Sequence, residues 1–270
     1  WLPSEANWSF EAFNGINEGA LNNTSSMLAG LRATLSPVEG LQFELVQTSQ
    51  WGGKGYSTGI SALKGALAFD TNNNSNSNIN KMAGFGISYT APSKIIPLRI
   101  YGQAVGEDEA GNLPSCFAYL AGLEWKNTKI KYPTIVVIEA VDTRIDTTKS
   151  GNCGPNTMYN NNIYDYTNYG RTMGAEIDSE GTSLGLYLKS QISQEINIEY
   201  AIKSVIINDN NWSGHRLSSK RESGLINSIG ISWAKSNFIL MGNIYNQGLS
   251  LNKADINNGN GIGFTSSIEF

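Results

Sequence analysis

Apolar and polar residues alternate with a period of two through nearly the whole chain, and this constrains the fold more than any other feature. Successive side chains on a strand point to opposite faces, whereas a helix repeats every 3.6 residues. Ile196, Ile198, Tyr200 and Ile202 share one face, while Asn197, Glu199 and Lys203 share the other. Leu41, Phe43 and Leu45 oppose Gln42 and Glu44; Leu98 and Ile100 oppose Arg99, Tyr101 and Gln103. Leu184, Leu186 and Leu188 oppose Tyr187, Lys189 and Gln191. Phe117, Tyr119, Leu123 and Trp125 oppose Glu124 and Lys126. About twelve strands are predicted, over 7–14, 25–36, 40–50, 80–90, 96–106, 117–126, 133–145, 182–193, 196–207, 222–234, 237–249 and 258–270. Typical lengths of about 10–13 residues exceed the mean of about 5–6 for globular strands. They fit the roughly 9–11 residues of a tilted strand crossing a membrane.

The predicted connections alternate in length. Short ones fall at Ser36–Gly40, Ala91–Ile95, Asn127–Tyr132, around Gln194 and at Lys235–Ser236. Long ones fall at Gly15–Thr24, Gln50–Ile79, Gly106–Cys116, Asp146–Gly181, Asn208–Arg221 and Gly248–Asn257. Transmembrane barrels have short periplasmic turns and longer extracellular loops. The last strand ends on Phe270, with Ile268, Phe264 and Ile262 on its face, and a periplasmic C-terminus puts every short turn on that side. Soluble sandwiches and lipocalin-like barrels also alternate. The strand lengths and strand number favour the membrane, where closure is required because lipid cannot satisfy a free sheet edge. The expectation is an all-β, transmembrane, antiparallel up-and-down β-barrel. It is read as one domain over 1–270, or the C-terminal part of a larger barrel.

Composition narrows the choice. Charged residues make up 16% against the roughly 25% usual for soluble domains. Hydrophobic residues stand at 40%, and the mean hydropathy is −0.25. Asn, Ser, Thr and Gly fill the gap, which excludes charge-rich coiled coils and disordered acidic or basic tails. No apolar run approaches the roughly 18–20 residues of a spanning helix. A net charge of −4 gives no reason to expect nucleic acid. Two cysteines exclude a disulfide scaffold and a multi-cysteine metal site. The chain opens on Trp1 with no initiator Met, so a processed or trimmed start is expected.

Ile100–Ala121 reads IYGQAVGEDEAGNLPSCFAYLA and runs into GLEW at Gly122–Trp125. Pro155–Gly174 reads PNTMYNNNIYDYTNYGRTMG. Weaker blocks are QWGG at Gln50–Gly53 and NKMAGF at Asn80–Phe85. In order and spacing, from about Trp8 to Phe270, the chain resembles the later part of the capsule-assembly Wzi family. These are bacterial outer-membrane proteins that help hold capsular polysaccharide at the cell surface. Family members are longer, with earlier strands and a periplasmic helical portion, and GNCGPN departs from the pattern through Cys153. A truncated barrel would expose two strand edges, so a longer parent chain or a smaller self-closed barrel is expected.

The resemblance implies an outer-membrane, lectin-like protein that does no covalent chemistry and needs no cofactor. Implied partners are capsular polysaccharide or exopolysaccharide, outer-membrane lipid and lipopolysaccharide, and the outer-membrane assembly machinery. Without the resemblance, a general diffusion porin explains the alternation equally well. An outer-membrane lipase is the enzyme alternative.

Several residues are candidates for binding carbohydrate. Glu107, Asp108 and Glu109 place three carboxylates in a row at the top of a strand. They could hold sugar hydroxyls directly or through calcium. The preferred reading is a structural tie to a basic partner such as Arg171 or Arg144. Tyr159, Tyr164, Tyr166 and Tyr169 interleave with Asn156, Asn160, Asn161 and Asn162 ahead of Arg171. Flat rings and amides suit carbohydrate, and an aromatic loop folded into the lumen would look the same. Trp51 tips a glycine-rich turn with Gly52, Gly53 and Gly55, and Ile60–Phe69 is predicted as a short helix. Cys116 and Cys153 map to the same end of the barrel, where a disulfide and two free thiols are both open. His215, the single histidine, lies near Ser213 and Ser218 without nucleophile-elbow context, so a solvated loop histidine is expected. Arg216, Lys220 and Arg221 beside it suit acidic sugars or lipid phosphates, or simply a wet loop. Inward charges of mixed sign (Arg32, Glu44, Arg99, Glu124, Lys189, Glu199 and Lys203) suggest internal ion pairs over a single-sign filter.

Overall fold

The computed structural model describes residues 6–68, 79–92, 97–110, 113–145 and 153–268, with backbone alone at 108–110. The strands are β1 (Asn7–Asn17), β2 (Ser26–Val38), β3 (Leu41–Trp51), β4 (Ile79–Thr90), β5 (Leu98–Ala110), β6 (Leu113–Asn127) and β7 (Thr134–Asp142). They continue as β8 (Thr167–Asn168), β9 (Arg171–Thr172), β10 (Thr182–Gln191), β11 (Ile196–Ile207), β12 (Glu222–Lys235), β13 (Phe238–Gln247) and β14 (Gly259–Ile268). One helix, α1 (Ile60–Leu67), follows β3. Twelve strands form one sheet in the order β1-β2-β3-β4-β5-β6-β7-β10-β11-β12-β13-β14, and β8-β9 pair separately. Every strand expected from the alternation is present. The chain divides into two compact units. The first comprises Trp1–Tyr89, Tyr101–Leu120 and Asp142–Glu180; the second comprises Thr90–Ile100, Ala121–Val141 and Gly181–Phe270.

Register explains the alternation. In the second unit Leu188, Tyr200, Ile229, Ile244 and Ile262 stand directly opposite one another across five strands. On the other face of the same strands run Lys189, Glu199, Gly230, Asn243 and Gly263. The apolar rows are the exposed ones: Ile229 is 52%, Ile262 70% and Phe264 80% accessible. In the first unit Trp8, Leu35, Phe43 and Ile87 form such a row. The polar residues Gln50, Asn80 and Glu107 are buried. A sheet in water does the reverse. An exposed apolar band over a polar interior is the arrangement that lipid selects.

The exposed face changes character along β3 and β4. Phe43 and Leu45 are exposed, whereas Gln47, Ser49 and Trp51, further along the same face, are buried beneath α1. Ala29, Trp51 and Ala66 form a small core with Met27, Leu63, Leu67 and Ile79. The last carbonyls of a helix lack intrahelical partners. Here Ser49 Oγ (2.6 Å) and Gln47 Nε2 (3.1 Å) donate to the Ala66 carbonyl, and Lys81 Nζ donates to that of Ala68 at 3.1 Å. Trp51, read from sequence as the tip of a flexible turn, is instead the centre of this core at 1% accessibility. The helix itself is found as expected.

A second difference concerns the predicted loop Gly106–Cys116. β5 runs on to Ala110 and β6 begins at Leu113, so Glu107 and Cys116 lie in strands. Acidic residues are depleted in strands, which makes GEDEAG read as a loop. The sheet tolerates Glu107 because it finds partners there. β8 and β9, at two residues each, are too short to carry a period.

Ile229 and Ser232 lie on opposite faces of β12. Ile229→Arg should cost about 2–4 kcal/mol, the penalty for a cation on a lipid-facing strand. Ser232→Arg should cost less than about 1 kcal/mol, because it points to the polar side. Urea unfolding in lipid vesicles reads both.

Candidate functional site

In the first unit the long β7–β10 connection folds onto the polar face of the sheet. Met158, Tyr159, Tyr166, Ile145 and Cys153 pack against Met82, Cys116, Ala118, Leu28 and Val105. Cys116 and Cys153 form a disulfide across 37 residues of sequence, with Cα atoms 5.2 Å apart. This resolves the open choice between bridge and free thiols.

Glu107 is buried at the centre of this packing. Its Oε1 accepts from Asn80 Nδ2 and its Oε2 from the Tyr159 backbone N–H, each at 3.0 Å. These bonds hold Glu107 by an amide and a peptide N–H, whereas the expectation named a basic side chain. Arg144 forms an ion pair with Asp142 at 2.7 Å, and Arg171 is exposed elsewhere. The side chains of Asp108 and Glu109 lie outside the described residues.

Asn80 also donates to the Tyr164 carbonyl at 2.9 Å. The Tyr166 hydroxyl lies 2.9 Å from the Asn80 carbonyl and 3.1 Å from that of Thr48, and Tyr166 N–H donates to Gln50 Oε1 at 2.8 Å. The Tyr164 hydroxyl donates to the Gly52 carbonyl at 2.9 Å, and its ring meets Tyr56 with centroids 5.9 Å apart. The Tyr159 hydroxyl accepts from Ala175 N–H at 3.0 Å. Glu180 Oε1 accepts from Asn156 N–H (2.9 Å) and Ile145 N–H (3.2 Å). Asn156, Tyr159, Tyr166, Asp178 and Glu180 all have positive φ, between 49° and 66°. Such conformations persist only where the surroundings over-determine them, and these bonds do so. Tyr159 and Tyr164, candidates for stacking on sugar, are thus turned inward, and Trp51 is covered by α1.

Other candidates remain at the surface. Tyr169 and Gly170 form the tip between β8 and β9; Tyr169 is 72% accessible, and Arg171 and Asn160 are exposed. The tip is held in place. Tyr169 N–H donates to the Gly19 carbonyl at 2.8 Å, and Gly19 N–H donates to Asn168 Oδ1 at 3.1 Å. Leu21 N–H donates to Thr167 Oγ1 at 3.1 Å, and Asn22 Nδ2 to the Asn161 carbonyl at 3.2 Å. The Tyr169 hydroxyl reaches Glu18 Oε2 at 3.4 Å. The exposed Tyr169 ring is therefore held in a fixed place beside the Glu18 carboxylate, with Arg171 exposed two residues further along. Glu18 and the β1–β2 loop carried no motif that could have marked them in the sequence.

His215, expected in solvent, is fully buried in the second unit, with Nδ1 accepting from Leu217 N–H at 3.2 Å. The Asn208 side chain closes that loop, donating to the carbonyls of Trp212 (2.8 Å) and Ser218 (3.0 Å). Among the described residues no group of three or more His, Cys, Asp or Glu is placed to hold a metal ion.

An up-and-down antiparallel sheet with an apolar exposed face and a polar, loop-packed face defines a transmembrane β-barrel protein. Comparison with known proteins gives the particular family. The chain matches the family described as capsule assembly protein Wzi over residues 4–238 and belongs to it. It is similar to a Klebsiella pneumoniae protein described as an uncharacterised 55.8 kDa protein in the cps region. That similarity is 31% identity over 150 residues, 53% of this chain and 29% of the relative. The solved structure of Wzi from Escherichia coli is described as an outer-membrane protein involved in group 1 capsule assembly and a carbohydrate-binding β-barrel. It superposes with a TM-score of 0.76 at 20% identity, covering 97% of this chain and 55% of that one. The chain thus spans about half or less of the length of these relatives.

Removing the Glu107 carboxylate leaves two buried donors, from Asn80 and Tyr159, without that acceptor. Glu107→Ala should cost about 1–3 kcal/mol per orphaned donor, and Glu107→Gln, which keeps one oxygen, clearly less. Thermal melting in detergent checks the order. Burial foremost, with the neighbouring Tyr56 charge second, pushes the Tyr164 phenol up to about 12. Burial also raises Tyr166. A raised acid pKa contributes stability that is intact below the ordinary value of 10.0 and is lost as pH climbs through about 12. Absorbance titration should show these phenols ionising late, together with loss of the loop's packing.

Proposed function

We propose that this chain forms part of an outer-membrane β-barrel that holds capsular or exopolysaccharide at the cell surface by non-covalent contact, without enzymatic chemistry. In this reading the long connections face outward, the short turns and the C-terminus face the periplasm, and lipopolysaccharide surrounds the apolar band. The outer-membrane assembly machinery would read the last strand, whose Phe270 lies outside the described residues. The observation that carries the proposal is the Tyr169–Arg171 tip, where an exposed ring is pinned to the β1–β2 loop beside Glu18 and the exposed Arg171 follows two residues on. Saccharides offer C–H faces to rings and hydroxyls to amides and carboxylates, and acidic sugars add a partner for Arg171. Several such exposed contacts are individually weak, but a repeating polymer engages many proteins at once and gains by multivalency. The tight packing of the β7–β10 connection onto the polar face supports anchoring over free diffusion.

Tyr169→Ala combined with Arg171→Ala should release polysaccharide from cells into the medium while leaving the amount of folded protein unchanged. Unchanged retention would overturn the assignment of this surface. A steady, large conductance of the wild-type protein in planar bilayers would favour the porin instead.

A further inference from the structure

The second unit contains a cleft of about 360 Å³ on the polar face of its sheet, away from the residues assigned above. Its size is at the low end of the roughly 300–1,000 Å³ usual for small-ligand sites. Ile135 and Val137 of β7 form one wall, and Ser228, Gly230 and Asn243 contribute to the lining from β12 and β13. Tyr187 stands at one side, its ring lying back over Gly185, with Lys203 Nζ 5.9 Å from the ring centroid.

Gly230 is the telling residue. It does not have a positive φ, so its backbone suits any L residue. A Cβ there would meet only Gly242 O at 3.7 Å, Asn243 Cβ at 3.9 Å and Glu199 Cβ at 4.0 Å, all ordinary contacts. Neither conformation nor packing asks for glycine, although glycine weakens a strand interior. Its neighbours differ: a Cβ at Gly261 would enter the Tyr245 ring, and one at Gly263 would strike the Asn243 side chain. What glycine at 230 does is leave the floor of the cleft open.

The polar lining fits an uncharged ligand rich in hydroxyls. Lys189 and Glu199 face each other across β10 and β11 at 2.6 Å, each more than half accessible. An exposed pair of this kind contributes little stability. It does present donors and an acceptor side by side with no net charge, in a cleft that Asn243 and Ser228 also line. Aliphatic wall, aromatic edge and neutral polar floor together match the two-sided chemistry of a sugar ring.

We propose that this cleft is a second saccharide site, taking a short neutral segment, distinct from the Tyr169–Arg171 surface. The proposal rests on the reading that the protein binds polysaccharide. The probe is the di- and trisaccharide fraction from partial acid hydrolysis of the cell's own surface polysaccharide, titrated calorimetrically into the protein in detergent. Gly230→Val fills the floor with a residue that strands favour, and Tyr187→Ala removes the aromatic edge. Each should weaken short-fragment binding about tenfold or more, the worth of roughly 1.4 kcal/mol. Melting temperature confirms that each variant is folded. Wild-type affinity in folded Gly230→Val or Tyr187→Ala overturns the cleft. So does a wild type that binds intact polysaccharide but no short fragments, which leaves the surface reading standing. A wild type that binds neither overturns both.

Discussion

A bilayer supplies no hydrogen bonds, and the rest of this structure follows from that. Every backbone group at membrane depth must find its partner within the protein, which lateral pairing in a sheet provides. The side of the sheet that meets lipid must be apolar, so polar side chains collect on the opposite face. Where the β7–β10 connection covers that face, as over Gln50, Asn80 and Glu107, they lose water as well and must satisfy one another. Glu107, Asn80, Gln50 and Tyr166 form such a network: Asn80 Nδ2 donates to Glu107, Tyr166 N–H to Gln50 Oε1, and the Tyr166 hydroxyl to the Asn80 carbonyl. The inversion of exposure, with Ile262 and Phe264 bare and Gln50 covered, has the same origin.

The two faces of β2–β4 then carry different superstructures. The β7–β10 connection packs on the polar face, and α1 packs on the other, beyond the apolar band, where Gln47, Ser49 and Lys81 tie down its last carbonyls. Both arrangements answer the same requirement, that backbone withdrawn from water be hydrogen-bonded. Tyr169, left outside, acquires a fixed position without itself being buried. A binding surface of this kind loses little conformational entropy when a polymer docks.

The strands were legible because lipid makes the same demand on each of them. The period of two is a local signal, and a window of about ten residues carries it whole. The short helix Ile60–Leu67 was legible too. The long loops were not. Tyr159, Tyr164 and Tyr169 are equivalent in the sequence as rings among asparagines, yet two are buried and one is 72% accessible. Glu107 resembled a loop residue because its partner Tyr159 N–H lies 52 positions away. His215 and Trp51 were misread for a related reason: a polar or glycine-rich neighbourhood signals a turn and says nothing about what will cover it.

By itself the sequence determined which residues pair into strands, which face of each meets lipid, and to which family the repeated motifs belong. These depend on spacing along the chain and on a uniform environment. The tertiary structure alone decided which aromatic and charged residues are left for a ligand. It also decided that Cys116 meets Cys153, and that Gly230 leaves a cleft open. Those outcomes depend on contacts such as Gln50 with Tyr166, 116 residues apart, whose formation is set by the packing of the whole unit and leaves no periodic trace.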